Sequence, residues 1–319
     1  MSASYEAEWR ARFGDDSDLP RDVPEIAWLR QVLMRRTHRR YAERPVPEPL
    51  LRLLLAAAFS ASSKSDFQQA SIVQVVERTQ RDLLAALVPD MPWIGSAPVF
   101  LVFCGDVRRL ERLGEMRGHT MDNGKLEGFF NAAIDAALVL QTFILAAETA
   151  GLGCCPISAL RNHAEEVAAV LCLPDKVFPV AGLCVGYPAA AGHVSMRLPL
   201  AVTVHRDRYD DAHLGAAVDA YDARRNVAVR DPARATAFSR GLRACRVLRV
   251  VGGQGAPGHN ARRTEFSRLP ARPRLQTRLT APGCRTLEAR GRKTTCLLPS
   301  GSGCSAGPRR LARRRESFP

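Results

Sequence analysis

The 319-residue chain carries 46 Lys and Arg against 32 Asp and Glu, a formal net charge of +14, but the excess sits at one end. Residues 1–225 hold 25 basic and 28 acidic side chains, a net of −3, whereas residues 226–319 hold 21 and 4, a net of +17. A general nucleic-acid-binding surface is therefore not expected of the first part, and that length buries a sizeable core without disulfide staples.

The opening stretch, "MSASYEAEWRARFGDDSDLP", is acidic and lacks an apolar run, so no signal peptide is expected. Residues 24–40 carry apolar side chains at Ile26, Leu29, Val32 and Leu33 and predict a helix. "PEPLLRLLLAAAFSAS" predicts another, with Pro49 in its first turn. "ASIVQVVE" alternates and is β-branched, a strand, and "RTQRDLLAALV" follows as a short helix. "APVFLVFCGD" is a continuous apolar run of strand length, expected to be buried on both faces.

Phe129–Leu152 is the most apolar stretch. It also contains Asn131, Asp135, Gln141 and Glu148. Carboxylates at mid-depth argue against a membrane span, so a buried core helix in a soluble, cytoplasmic protein is expected. The chain is expected to leave that helix at Gly151 or Gly153 and to turn through Cys154, Cys155, Pro156, Ile157 and Ser158. "HAEEVAAVLCL" predicts a helix capped by Asn162, and "VFPVAGLCVGYPA" a buried strand. Periodicity stops near Arg225. The rest is rich in Arg, Gly and Pro and lacks Trp and Tyr, so it is expected to be poorly ordered.

The nine cysteines show no CxxC or Cys/His spacing, so no metal site is expected. Cys154 and Cys155 are expected to be packing residues. Three segments look suited to one phosphorylated, planar ligand. "RRTHRRY" offers Arg35, Arg36, Thr37 and Arg39 to a phosphate. "SASSKSDFQQ" is a loop of short polar donors. The turn after Gly153 offers Pro156 and Ile157 as an apolar surface.

Together these segments resemble the nitroreductase family of FMN-dependent NAD(P)H oxidoreductases. Four further pieces carry the resemblance: "NAAIDAALVLQTFILAAETAGLG", "CCPISALRN", "LPDKVFPVAGLCVGYPA" and "SMRLPLAVTVHRDRYDD". It covers about residues 28–222. It implies an α+β, three-layer α/β/α fold with a mixed, mostly antiparallel central sheet flanked by helices, assembled as a homodimer. It further implies that Arg35, Arg36, Thr37, Arg39 and Arg197 hold the FMN phosphate and nearby flavin atoms. Ser63, Lys64, Ser65, Asp66 and Gln68 would come from the partner subunit. Pro156 and Ile157 would support one flavin face, with the amides of Ser158 and Ala159 near N5.

The implied reaction is ping-pong hydride transfer from NADPH or NADH through FMN to a small electron acceptor, such as a nitro compound or quinone. The chemistry sits on the flavin, so no catalytic side chain is expected. A flavin reductase or another reductase of the same superfamily is the alternative. A nucleic-acid binder acting through its tail is the alternative from a different class; neither nucleic acid nor membrane is an expected partner. The expected division is an N-terminal arm (1–23), the FMN-binding domain (24–225) and the basic tail (226–319). A frameshift between about Arg225 and Val250 would produce such a tail. "VVGGQGAPGH", Val250–His259, admits codons whose neighbouring frame reads Ser-Ser-Glu-Asp-Lys-Ala-Arg-Gln, a segment type found in related proteins.

Overall fold

A computed structural model describes residues 2–16, 18–120 and 126–230. The expectations for the tail fall outside the described residues, except that the backbone of the last helix runs on to Arg230.

The chain opens with β1 (Ser2–Ala3), α1 (Glu6–Phe13) and β2 (Val23–Pro24), the two short strands pairing antiparallel. Then come α2 (Ala27–Leu33), α3 (Glu48–Phe59), β3 (Ala70–Gln74), α4 (Arg78–Ala86) and α5 (Trp93–Ser96). After β4 (Val99–Asp106) and α6 (Arg108–Met116) runs the long α7 (Leu126–Thr149). The order finishes with β5 (Gly153–Ile157), α8 (Ala164–Val170), β6 (Val177–Gly186), α9 (Leu200–Thr203) and α10 (Leu214–Arg230).

The central sheet has the order β3-β4-β6-β5, with every strand pair antiparallel. An isolated parallel bridge, Thr37 to Cys154, extends it past β5 and makes it mixed. Alternation along β4 divides the core in two. Val99, Leu101 and Phe103 face α3 and α7, packing with Leu54, Ala136 and Phe143. Phe100, Val102 and Cys104 face the opposite layer, packing with Leu84 of α4, Ile94 of α5 and Val167 of α8. All eight residues of β4 are buried, as a strand covered on both faces must be. The result is three layers, helix–sheet–helix.

Three local expectations need correction. The helix expected over 24–40 ends at Leu33, because the chain from Thr37 onward pairs with β5 instead: His38 N–H donates to the Cys154 carbonyl at 3.0 Å. The turn expected from Cys154 to Ser158 is strand β5. Gly151, with φ +78°, does end α7, and the Leu152 and Gly151 amides close onto the Ala147 and Glu148 carbonyls at 2.9 and 3.1 Å. The chain thus emerges at the sheet edge and pairs with β6. Asn162 does not cap α8. It lies inside a 3-10 turn over Ser158–His163 that runs straight into the helix.

Helix α7 is long and apolar enough to cross a membrane by length and composition alone. Its buried side carries Asp135, only 1% exposed, against the sheet layer.

Candidate functional site

The segment Arg35–Tyr41 lies along the open edge of β5. Thr37 bridges Cys154, and Tyr41 bridges Pro188. Cys154 gives its carbonyl to His38, so Cys154 and Pro156, two residues apart, turn their backbone polar groups away from β6. Proline costs no ladder bond there, which is why it is tolerated in β5. Pro156 is half-buried, while the Ile157 side chain is 1% exposed and locked among Leu160 and Phe100. Only the backbone of Ile157 can therefore face a ligand on this edge. Ser158 is exposed and Ala159 half-buried, just beyond.

Four guanidinium groups gather beside this edge. Arg12 is 7% exposed and donates to three carbonyls: Leu33 at 2.8 Å, Ser195 at 2.6 Å, and Arg35. In return the Arg197 amide donates to the Arg12 carbonyl at 2.7 Å. Burial pushes the Arg12 guanidinium down to about 10, with Arg197, Arg35 and Arg36 adding repulsion. Arg36 donates to Met34 and Gly192 carbonyls at 3.1 and 3.4 Å, and Arg197 is exposed. Gly192 leaves the cradle open: a Cβ there would come within 2.9 Å of Arg36 Cγ and 3.0 Å of the Thr37 oxygen.

The acid facing this cluster is Glu148, at the end of α7. Its Oε1 lies 3.5 Å from Arg35 Nε, a contact without a hydrogen bond, and both atoms are buried without a hydrogen-bond partner. Burial pushes the Glu148 carboxyl up to about 7, against the pull of Arg35, Arg12 and Arg36. A cluster with this excess of cationic donors over the one carboxylate is suited to an anion such as a phosphate monoester. Arg39 stands apart from it, with its guanidinium carbon 5.3 Å from the centre of the Trp93 ring.

The raised Glu148 carboxyl gives a pH prediction. Its ordinary value of 4.5 rises to about 7 in the fold, so its neutral form is favoured there. Stability tied to Glu148 is full below about pH 4.5 and is lost as pH rises through about 7. In the ligand-free protein, Glu148→Gln should raise the melting temperature at pH 8 more than at pH 5. An equal change at both pH values would contradict it.

The loop Ser63–Gln68 is held elsewhere. Ser63 Oγ and the amides of Lys64 and Gln69 donate to the buried Asp135 carboxylate at 2.7, 3.3 and 2.9 Å. The Gln68 amide donates to Ser63 Oγ at 2.7 Å, and Lys64 Nζ pairs with Glu127 at 2.7 Å. The loop needs this grip, because Ser65, Asp66 and Gln68 all have positive φ, at 51°, 57° and 51°. It leads into β3, at the opposite edge of the sheet from β5, three strand spacings or roughly 14 Å away. Within one chain, then, Arg35, Arg36, Thr37, Arg197 and β5 converge, and Ser63, Lys64, Ser65, Asp66 and Gln68 do not join them.

Cys154 and Cys155 point to opposite faces of β5. Cys154 packs in the α3–α7 half of the core and Cys155 in the other half. Both are free thiols, and burial raises both above the ordinary thiol value, which disfavours the thiolate at neutral pH. Replacing both by alanine should leave activity within a few-fold of the unmodified protein. A loss of more than about 100-fold, beyond what cavities of this size explain, would contradict their role as packing.

Arg12 organises the arginine cluster and Asp135 the Ser63–Gln68 loop, and neither stands out as a site residue in the sequence. The carboxylate inside the apolar run of α7 was the available signal for Asp135.

Comparison with known proteins places the chain in a family. The pattern of the "Nitroreductase family" matches residues 32–187. An FMN reductase [NAD(P)H] of Bacillus subtilis is 34% identical over 198 residues, covering 61% of this chain and 79% of its own length. An oxygen-insensitive NADPH nitroreductase of Salmonella typhimurium is 33% identical over 174 residues, 54% of this chain and 71% of that one. Among solved structures, the NADPH:FMN oxidoreductase from Vibrio harveyi, complexed with NAD+, superposes with a TM-score of 0.60. It is 28% identical and covers 71% of this chain and 92% of that one. On fold, matched residues and kinship alike, this chain belongs to the nitroreductase family.

Proposed function

We propose that the chain is an FMN-dependent NAD(P)H oxidoreductase acting as a homodimer, with each flavin site built from both copies. The observation that carries this reading is the arginine cluster beside β5, in a chain similar to an FMN reductase. Arg35, Arg36, Thr37 and Arg197 would take the FMN phosphate. The edge of β5, with Pro156 and the backbone of Ile157, would support the ring. The amides of Ser158 and Ala159 would stand near N5, and Arg39 at the rim of the site.

Ser63, Lys64, Ser65, Asp66 and Gln68 of a second copy would close the ring's far edge. Their distance from the cluster within one chain supports this, as does an apolar stripe on α7. Leu126, Phe130, Ile134 and Leu138 recur every fourth residue and are all exposed. A second copy would cover this stripe, leaving no call for a membrane.

The chemistry supplied by bound FMN is two-electron transfer from NAD(P)H to a small electron-poor acceptor: a nitro compound, a quinone or free flavin. The chain's own work is to neutralise the phosphate, fix the ring against β5 and leave one ring face open for donor and acceptor in turn. No protein acid–base pair is required. Initial rates at varied NADPH and acceptor should give parallel double-reciprocal lines, with heat-released cofactor co-migrating with FMN. Intersecting lines, or colourless protein that FMN does not reconstitute, would contradict the proposal.

A further inference from the structure

We propose that Arg12, from the helix that precedes the family-matched residues, is a positioning residue of the flavin-phosphate site. It would set the spacing of Arg35–Arg36 against Arg197. The inference rests on the reading that these arginines take the FMN phosphate.

The geometry is that of a three-way clamp. One planar guanidinium donates to Leu33, Arg35 and Ser195 carbonyls, 21, 23 and 183 residues away in sequence. Its own carbonyl accepts from the Arg197 amide. The two strands of chain that carry Arg35–Arg36 and Arg197 are thus tied through one side chain. Arg36 reaches the Met34 and Gly192 carbonyls, and the Arg197 side chain those of Ser195 and Met196.

Helix α1 is itself firmly seated, so Arg12 is a fixed anchor. The Tyr5 hydroxyl accepts from the Ile26 amide at 2.7 Å and Asp15 pairs with Arg224 at 3.0 Å. Gly14, at φ +86°, lets the chain pass Met196, whose Sδ would lie 2.9 Å from any Cβ there. Lysine could not substitute, because a single ammonium on a flexible stem does not reproduce a planar fork reaching three carbonyls. An arginine buried beside three others also repels them. Such an arrangement is useful where an anion arrives to bind the group, and wasteful where the clamp is only a fold contact.

The test compares two ligands that differ by the phosphate alone. FMN and riboflavin are titrated into flavin-free wild-type, Arg12→Ala, Arg12→Lys and Arg36→Ala proteins, with melting temperatures recorded for each. Arg12→Ala should weaken FMN roughly 10- to 100-fold, the loss of about one charge-assisted contact, and leave riboflavin within about 3-fold. Arg12→Lys should show the same selectivity at smaller amplitude, and it carries the test if the alanine variant does not fold. If Arg36→Ala loses the preference for FMN while both Arg12 variants keep the wild-type ratio, or weaken both ligands equally, Arg12 is only a fold contact and the proposal fails. A wild-type protein with no preference for FMN would overturn the phosphate-site reading itself.

Discussion

Replacing Asp135 by alanine should strip the protein of FMN and lower its melting temperature. The carboxylate is 1% exposed and accepts from Ser63 Oγ and from the Lys64 and Gln69 amides. Its removal leaves the buried Gln69 amide beside a cavity without its acceptor, at about 1–3 kcal/mol, and takes the acceptor from the part-buried Ser63 hydroxyl and Lys64 amide as well. The loop cannot absorb that loss, because Ser65, Asp66 and Gln68 already sit at positive φ, an unfavourable region for side-chain-bearing residues. Once released, the loop would relax to ordinary backbone angles and withdraw its donors from the flavin site of the second copy. We expect FMN affinity to fall by more than about 100-fold, the equivalent of two such bonds. Asp135→Asn should fall in between, since its amide group keeps one acceptor oxygen but presents N–H to an N–H donor. Flavin titration with thermal melting checks both. Wild-type affinity and stability in Asp135→Ala would show that the loop holds its shape unaided.

The second large effect is expected at Arg36 and Arg197. Each should donate charge-assisted hydrogen bonds to the phosphate, contributing about 1.5–3 kcal/mol, or roughly 10- to 150-fold in affinity. Arg36→Ala and Arg197→Ala should each purify largely without flavin and recover colour only in excess FMN. The double variant should lose less than the product of the two, because the residues share one anion. Full occupancy in both single variants would refute the assignment.

The sheet and its covering helices were legible in the sequence because their apolar periods are strong. β4 reads as an uninterrupted apolar run, and α7 as a helix ended by Gly151. The corrected elements share a cause. Val32 and Leu33 continue a helical pattern up to the point where Thr37 and His38 find backbone partners on β5, a pairing that no local window contains. β5 itself looked like a turn because Gly, Cys, Cys and Pro are individually poor strand signals. Its partners, β6 and Thr37, decide the matter. Arg36, Thr37 and Arg197 were legible as candidates by resemblance. Arg12 was not, because its three acceptors lie up to 183 residues away and its own helix shows no marked amphipathic pattern. Asp135 was visible as a lone carboxylate in an apolar helix, but its role depends on a loop that closes over it from 66 to 72 residues earlier.

The most direct test of the account is an absorption spectrum of the purified protein, recorded before and after anaerobic addition of NADPH, followed by a quinone or nitro acceptor. The account predicts the two visible bands of oxidised flavin at one FMN per chain, their bleaching by stoichiometric NADPH, and their return on addition of the acceptor. A flavin-loaded protein that NADPH leaves unbleached, or a flavin-loaded monomer in a parallel sedimentation run, would contradict it.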